Sequence, residues 1–377
     1  MTTNVVILGA GFGGLELATR LSDEVADEVR VTLVDQSPWF MFGYSKLDVL
    51  FGKKSPEDVR LYYDRIVKPN VEFRQERVVA IDPERRHVET DAGSYDADVL
   101  VVALGADLDP GATPGLDAGG YEFYSPAGAE RLRDVLASFD AGTVLVSVLG
   151  GFFKCPPAPN EAALMLHDHF TRRGVRDRVK IHLLSPLPMP IPVSAETSAA
   201  IISAFEERGI QYSPKTLVTS LDPARHVAIL QNGESLPYDL FMGVPVHRAP
   251  QVVVDAGLTE DGWIPVDPAT FATRFPGVYA VGDITSAPVP RAGVIAEGEA
   301  GTAADVIISN IRASGSPAPY AGIATCFIES GDDKVARVDL NFLSGPEVVA
   351  RYQAPSLEIA AEKVEFGASR RARWFGY

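Results

Sequence analysis

The chain is poor in cysteine: its 377 residues include two, Cys155 and Cys326. That excludes a small domain stapled by disulfides and leaves the pair either unremarkable or catalytic. Basic residues are also scarce, with 34 Lys and Arg against 50 Asp and Glu and a formal net charge of −16. Non-specific binding to nucleic acid or anionic lipid needs clustered positive charge, so both are argued against, and the charge serves solubility. No segment is long, apolar and charge-poor enough to span a bilayer. The start of the chain lacks the basic and apolar pattern of a secretory signal, which predicts a cytoplasmic protein. Solenoid-period repeats and low-complexity tracts are also missing. What is present is ordinary globular composition, 46% hydrophobic and 22% charged, with length for two or three domains and a buried cofactor.

Along the chain, strand and helix signals alternate. The apolar run Val5 to Leu8, a glycine turn, a helical stretch from Gly14 to about Leu21 and the run Val31 to Val34 form a βαβ unit. Strand-like runs follow at Glu72 to Ile81, His87 to Thr90 and Val99 to Leu104, together describing an open, mostly parallel sheet. The Pro- and Gly-rich piece from Asp109 to Gly115 marks a crossover. A second unit repeats the alternation, with helices at Pro126 to Phe139, Asn160 to Arg173 and Ala195 to Arg208 and strands at Thr143 to Leu149 and Val179 to Leu184. Near Tyr238 the chain is expected to return to the first domain, and from about Ser314 a separate unit carries Cys326 and a strand at Val335 to Phe342. The expected fold is α/β with two Rossmann-like dinucleotide-binding folds and a small C-terminal domain. The divisions are 1–109 and 238–313 for a discontinuous nucleotide domain, 110–237 for a degenerate insert and 314–377 for the last domain.

Gly9-Ala10-Gly11-Phe12-Gly13-Gly14 matches G-x-G-x-x-G after a strand and before a helix, and the acidic Asp35 ends the next strand. Gly9 allows the tight turn, Gly11 lets the backbone approach a pyrophosphate, Gly14 permits close helix packing, and Asp35 accepts a ribose hydroxyl. The stretch Thr273 to Asp283, with Tyr279-Ala280-Val281-Gly282-Asp283 at its end, resembles the T-x-x-x-x-x-Y-A-x-G-D signature of two-dinucleotide-fold flavoproteins. That resemblance selects FAD and implies that Asp283 bonds the ribityl chain. A helix beginning near Gly293 would turn its positive N-terminus toward the flavin pyrimidine carbonyl. Further candidate FAD contacts are Gln36, Val78, Ala103, Gly105 and Ala292.

Where a second glycine fingerprint for NAD(P)H belongs, the chain reads Gly150-Gly151-Phe152-Phe153-Lys154-Cys155-Pro156-Pro157-Ala158-Pro159-Asn160-Glu161. Bulky aromatics and prolines occupy the turn, and the following strand ends at Ser185 without an acid, so nicotinamide binding is not expected. Cys155 lies between a strand end and a helix that Pro159 and Asn160 can start and cap. Beside Lys154 and that N-terminus its thiol pKa is expected to fall. Glu161, in the first turn, can exchange a proton during sulfur chemistry.

The stretch Phe153 to Glu161 resembles the F-[RK]-C-P-P-x-P-x-E segment of flavocytochrome c sulfide dehydrogenases and sulfide:quinone oxidoreductases. The resemblance spans nearly the whole chain. It implies that Cys326 is the second redox cysteine, that the two form a disulfide near the flavin attacked by sulfide, and that two electrons pass to FAD and on to a quinone. It also implies that Lys363 approaches the flavin pyrimidine edge. A third cysteine found in many sulfide:quinone oxidoreductases is absent, as is the tethering cysteine of cytochrome-linked members, near whose position Gly43 stands. FAD is therefore expected to be non-covalent. Alternatives are an NAD(P)H-dependent flavin or quinone reductase and a non-catalytic redox-sensing flavoprotein.

His167-Asp168-His169 reads as a solvated helix surface and not as a metal site, since residues two apart point to different faces. The end of the chain, Arg370 to Tyr377, combines arginines with Trp374, Phe375 and Tyr377 and suits a peripheral membrane contact on the inner face or, equally, a docking tail. No coiled-coil pattern selects an oligomeric state.

Overall fold

In the computed structural model, which describes residues 2–315 and 317–377, the first five-stranded sheet is wholly parallel. Its order is Val278–Ala280, Val99–Val102, Thr3–Leu8, Val29–Asp35 and Val71–Gln75. The near-continuous apolar runs follow from burial on both faces. Val5 and Ile7 point into a core shared with the helices Phe12–Val25 and Gly293–Arg312, whereas Val6 and Leu8 point into a separate core with Val253 and Ile264.

The second unit is a further parallel sheet, ordered Tyr121–Glu122, Leu240–Val244, Gly142–Val148, Val179–Leu184 and Ile210–Ser213. The chain leaves and re-enters through a two-stranded antiparallel ribbon, Asp107–Asp109 against Val246–Arg248. The return therefore falls after Val244, later than the expected 238, because Leu240–Val244 pairs with Gly142–Val148 inside the second sheet. The expected strand Glu72 to Ile81 is also split. Val71–Gln75 joins the parallel sheet, while Val78–Asp82 turns away to pair antiparallel with His87–Thr90, itself paired with Ser94–Asp96.

The last unit is an antiparallel sheet, Ile323–Glu329, Val335–Asn341 and Val349–Ser356, followed by the helix Leu357–Phe375, whose Ser356 cap accepts from the Ile359 N–H at 3.1 Å. Its end is not a surface tail. Trp374 and Phe375 are both fully buried against Phe12, Phe40 and Phe42 of the first domain, and the Trp374 indole N–H donates to Glu16 Oε2 at 2.9 Å. Trp374 and Phe375 are thereby withdrawn from the membrane contact expected of this chain end, whereas Tyr377 is 40% exposed. His167 and His169 are half-buried and not solvated: the Arg176 guanidinium donates to His167 Nδ1 at 2.9 Å, and His169 packs between Phe51 and Phe170.

Candidate active site

A cavity of about 720 Å³ lies at the carboxyl ends of the first-sheet strands, where open α/β sheets bind ligands. Gly9, Asp35, Ala103 and Gly282, each at or beyond a strand end, stand on its wall. So do Gly11, Phe12, Gly13, Gln36, Val78, Gly105, Asp283 and Ala292. Gly14 and Ala10 are not on the wall but shape it. A Cβ on Gly14 would meet the Gly9 carbonyl oxygen at 1.9 Å, and Gly9 itself has φ of 97°, a conformation costly for other residues. Ala10 donates its N–H to Asp35 Oδ2 at 2.7 Å and accepts from the Tyr63 hydroxyl at 2.7 Å.

These residues fit a dinucleotide. A Cβ on Gly11 meets nothing within 4 Å, leaving open space before the helix Phe12–Val25, whose N-terminus carries no side-chain cap. Uncapped N–H groups there suit a pyrophosphate. The Asp35 carboxylate, held by Ala10 and by the Ser37 N–H at 2.8 Å, keeps acceptor capacity for a ribose hydroxyl. The helix Gly293–Arg312 also starts uncapped at the wall, beside Asp283. Gly43 lines the same cavity with nothing near its Cβ position.

Cys155 and Glu161 occupy the wall of this same cavity. Cys155 takes a left-handed conformation, φ 54°, fixed by its N–H donating to Arg291 O at 2.8 Å and by its own carbonyl accepting from Ala158 N at 3.0 Å and the Tyr124 hydroxyl at 3.2 Å. The helix after it begins at Ala158 with no side-chain cap; the expected capping residue Asn160 instead turns its amide toward Pro190 O at 3.5 Å.

The expectation of a lowered Cys155 pKa is overturned. Burial pushes the thiol well above its ordinary value, and the Glu161 and Cys326 charges push the same way. Lys154, expected to favour the thiolate, directs its ammonium to Ala106 O at 3.1 Å. The lysine that does favour the Cys155 thiolate is Lys46, which lines the same cavity and donates to Tyr124 O at 2.7 Å. Burial, with Lys154 adding to it, lowers the Lys46 pKa to about 8. Cys326 is partly buried beside the same core, off the cavity wall, with its thiol pushed up to about 12 by burial and then by Glu161. Both cysteines are free thiols in this structure.

Burial raises the Glu161 carboxyl to about 7, against the opposing pull of Lys363 and of the Glu329 N–H that it accepts at 2.9 Å. A carboxyl titrating near neutrality beside two proton-holding thiols is matched to moving a thiol proton. Lys363 is not on the cavity wall. It forms a buried ion pair with Glu329, its ammonium 4.8 Å from the centre of the Tyr44 ring.

Lys46, Tyr124 and His247 went unrecognised in the sequence. His247 is buried, with Nδ1 2.8 Å from Pro245 O and its pKa lowered to about 4, first by burial and then by Lys154. A lone lysine within the apolar stretch Trp39 to Leu50 was the available signal for Lys46.

At the place of a second fingerprint, Phe153 packs into the core of the second unit. Phe152 is 71% exposed, with the Arg291 guanidinium 5.4 Å from its ring centre and 3.8 Å from that of Trp263.

Two parallel nucleotide-type folds in series, with a glycine fingerprint, a half-buried cysteine and a buried carboxyl on one cavity wall, define an oxidoreductase of the two-dinucleotide-fold class. The family model for pyridine nucleotide-disulphide oxidoreductases matches residues 3–300. The chain belongs to that family. It is 24% identical over 366 residues to the mitochondrial sulfide:quinone oxidoreductase of Mus musculus, covering 91% of this chain and 79% of the mouse protein. It is 26% identical over 363 residues to the sulfide-quinone reductase of Aquifex aeolicus, covering 88% and 82%. The solved structure of the Aquifex aeolicus sulfide:quinone oxidoreductase superposes with a TM-score of 0.89 at 23% identity, over 99% of this chain and 92% of that one, and shows the shared fold.

Proposed function

We propose that the protein is an FAD-dependent oxidoreductase that oxidises sulfide or a related small sulfur compound and delivers the electrons to a quinone. The observation that carries this reading is the shared wall: Cys155 and Glu161 face the cavity built by Gly9, Asp35, Gly282 and Asp283, and Cys326 packs against the same hydrophobic core as Cys155. The names of the two relatives above point to the same substrate and acceptor.

Gly9, Gly11, Asp35 and Asp283 would hold FAD without a covalent link. Bound FAD supplies a two-electron acceptor. The chain's own part is sulfur and proton chemistry. With Cys155 and Cys326 oxidised to a disulfide, hydrosulfide attacks one sulfur, the S–S bond breaks, and the other sulfur leaves as a thiolate beside a cysteine persulfide. Lys46, half-buried on the same cavity wall, favours that charge at Cys155, and Glu161 takes or returns the proton. Among the described residues no helix is long and apolar enough to cross a membrane. A quinone at a membrane surface would meet the outer face of the C-terminal helix, where Leu357 and Val364 are exposed.

The test is anaerobic addition of sulfide to the flavin-loaded protein. Bleaching of the flavin, followed by recovery on adding a quinone, is expected in the native chain and is expected to vanish in Cys155→Ser. An unbleached flavin in the native protein overturns the reading.

A further inference from the structure

Glu161 is held from behind by the strand that carries Cys326. The Glu329 N–H, three residues beyond Cys326 on Ile323–Glu329, donates to Glu161 Oε1 at 2.9 Å, and both residues are buried. The Glu329 carboxylate does not face water alone. The ammonium of Lys363, from the C-terminal helix, pairs with it, and Lys53 reaches it at 3.3 Å while also lying 3.6 Å from the exposed Asp333. Lys363 and Glu329 are each only 6% exposed, so this pair is not a solvated surface contact of little consequence.

We propose that Lys363 and Glu329 are a paired set of positioning residues that fixes the protonation of Glu161 and ties it to the Cys326 strand. The inference rests on the reading of Glu161 as the proton-transferring carboxyl. Removal of the Lys363 charge makes a Glu161 carboxylate harder to form, and removal of the Glu329 charge makes it easier. The two effects therefore have opposite sign.

The remaining groups around Glu161 do not supply this control. Asp48, from the helix Ser45–Leu50, is partly balanced by Lys54 at 3.6 Å and has its own pKa raised by burial. The thiols of Cys155 and Cys326 and the hydroxyl of Tyr124 all have raised pKa values, chiefly through burial, and stay neutral across the range in which Glu161 titrates. Lys363 is the largest opposing charge to burial at Glu161, and it keeps its own charge because Glu329, Glu161 and Asp48 outweigh its burial.

The test is an infrared titration of the flavin-loaded protein, following the band of the protonated Glu161 carboxyl assigned by its loss in Glu161→Gln. In Lys363→Met the midpoint is expected to rise by about one pH unit, in Glu329→Gln to fall by about one, and in the double variant to return toward the native value. Midpoints that move in the same direction, or not at all, overturn the proposal, since general damage to packing has no reason to produce opposite signs. If Lys363→Met does not fold, Glu329→Gln decides alone: a fall supports the pair and an unchanged or higher midpoint sinks it. Sulfide-dependent bleaching is recorded on the same samples. Opposite midpoint shifts in a protein that sulfide does not bleach would reject the sulfide reading and leave this control of Glu161 standing.

Discussion

The Cys155 N–H donates to the carbonyl of Arg291 at 2.8 Å, fastening the cysteine loop of the second unit to the segment that leads into the helix Gly293–Arg312. Cys155 is thereby held at φ 54°, a region that residues other than glycine occupy at a cost of roughly 1–2 kcal/mol. Urea unfolding of Cys155→Gly and Cys155→Ala isolates that cost, because both lose the thiol. The glycine variant is expected to be the more stable, by about 1 kcal/mol. Equal stability, or a more stable alanine variant, would show that the bond to Arg291 does not enforce the conformation.

The nucleotide turn makes a sharper demand. A methyl on Gly14 would lie 1.9 Å from the Gly9 carbonyl oxygen, and Gly9 is itself hemmed by the backbone of Ala103. Gly14→Ala must therefore push the helix Phe12–Val25 away from the strand that precedes it, spoiling the approach to a pyrophosphate. The expected result is protein purified without a visible flavin spectrum. Gly11→Ala, with open space at its Cβ, is expected to keep the fold and weaken flavin retention, as measured by absorbance after desalting.

Local chemistry is what the sequence reveals best here. Gly9, Gly14, Asp35 and Gly282 act through turns and strand ends a few residues long, so the wall positions of Gly9 and Asp35 and the turn that Gly14 packs were legible from spacing, and Gly282 from the signature it resembles. Leu240–Val244 falls inside the span 238–313 expected to rejoin the first domain yet pairs in the second sheet, because a buried parallel strand reads the same whichever neighbour it pairs with. Trp374 and Phe375 were misplaced for a related reason: an aromatic and arginine-rich helix end suits a membrane surface or a protein core equally well until its partners, Phe12 and Glu16, are known. The Cys155 titration went wrong because Lys154 was adjacent only in sequence. Desolvation and Glu161, six residues further along the chain on the same wall, outweigh any effect of the preceding lysine.

The burial of Trp374 joins the end of the chain to the cofactor domain. Its ring lies edge-on to Phe12 at 5.4 Å, and Phe12 belongs to the glycine fingerprint and lines the cavity. Glu16 receives both the Trp374 indole and the Arg373 guanidinium. Truncation of so large a buried ring costs about 3–5 kcal/mol, and here it also leaves Glu16 short of a partner. Trp374→Ala is expected to lower the unfolding free energy from urea titration by that amount and to lose flavin more readily on desalting. Trp374→Phe, which keeps most of the packing but not the N–H, is expected to fall between the two.

Glu161 gives stability a dependence on pH with a defined sign. Its carboxyl is raised from an ordinary 4.5 to about 7 in the folded protein, chiefly by burial. Between those values the folded chain binds a proton that the unfolded chain has released, so the contribution is fully present below about 4.5 and is lost as pH rises through 7. Glu161→Gln, which cannot ionise, removes this loss. Relative to the native protein the variant is expected to gain stability between pH 5 and pH 8, by a few kcal/mol at most. Lys46 acts in a separate window: lowered from 10.5 to about 8, it favours folding above the upper value and loses that contribution as pH falls through the lower one. Urea titrations of the native chain and of Glu161→Gln at pH 5 and pH 8 therefore read Glu161 with little interference from Lys46, whose charge the two proteins share. A stability difference that does not change between these pH values would mean that Glu161 is ionised throughout, and with it the assignment of a proton-transferring carboxyl beside Cys155 would fail.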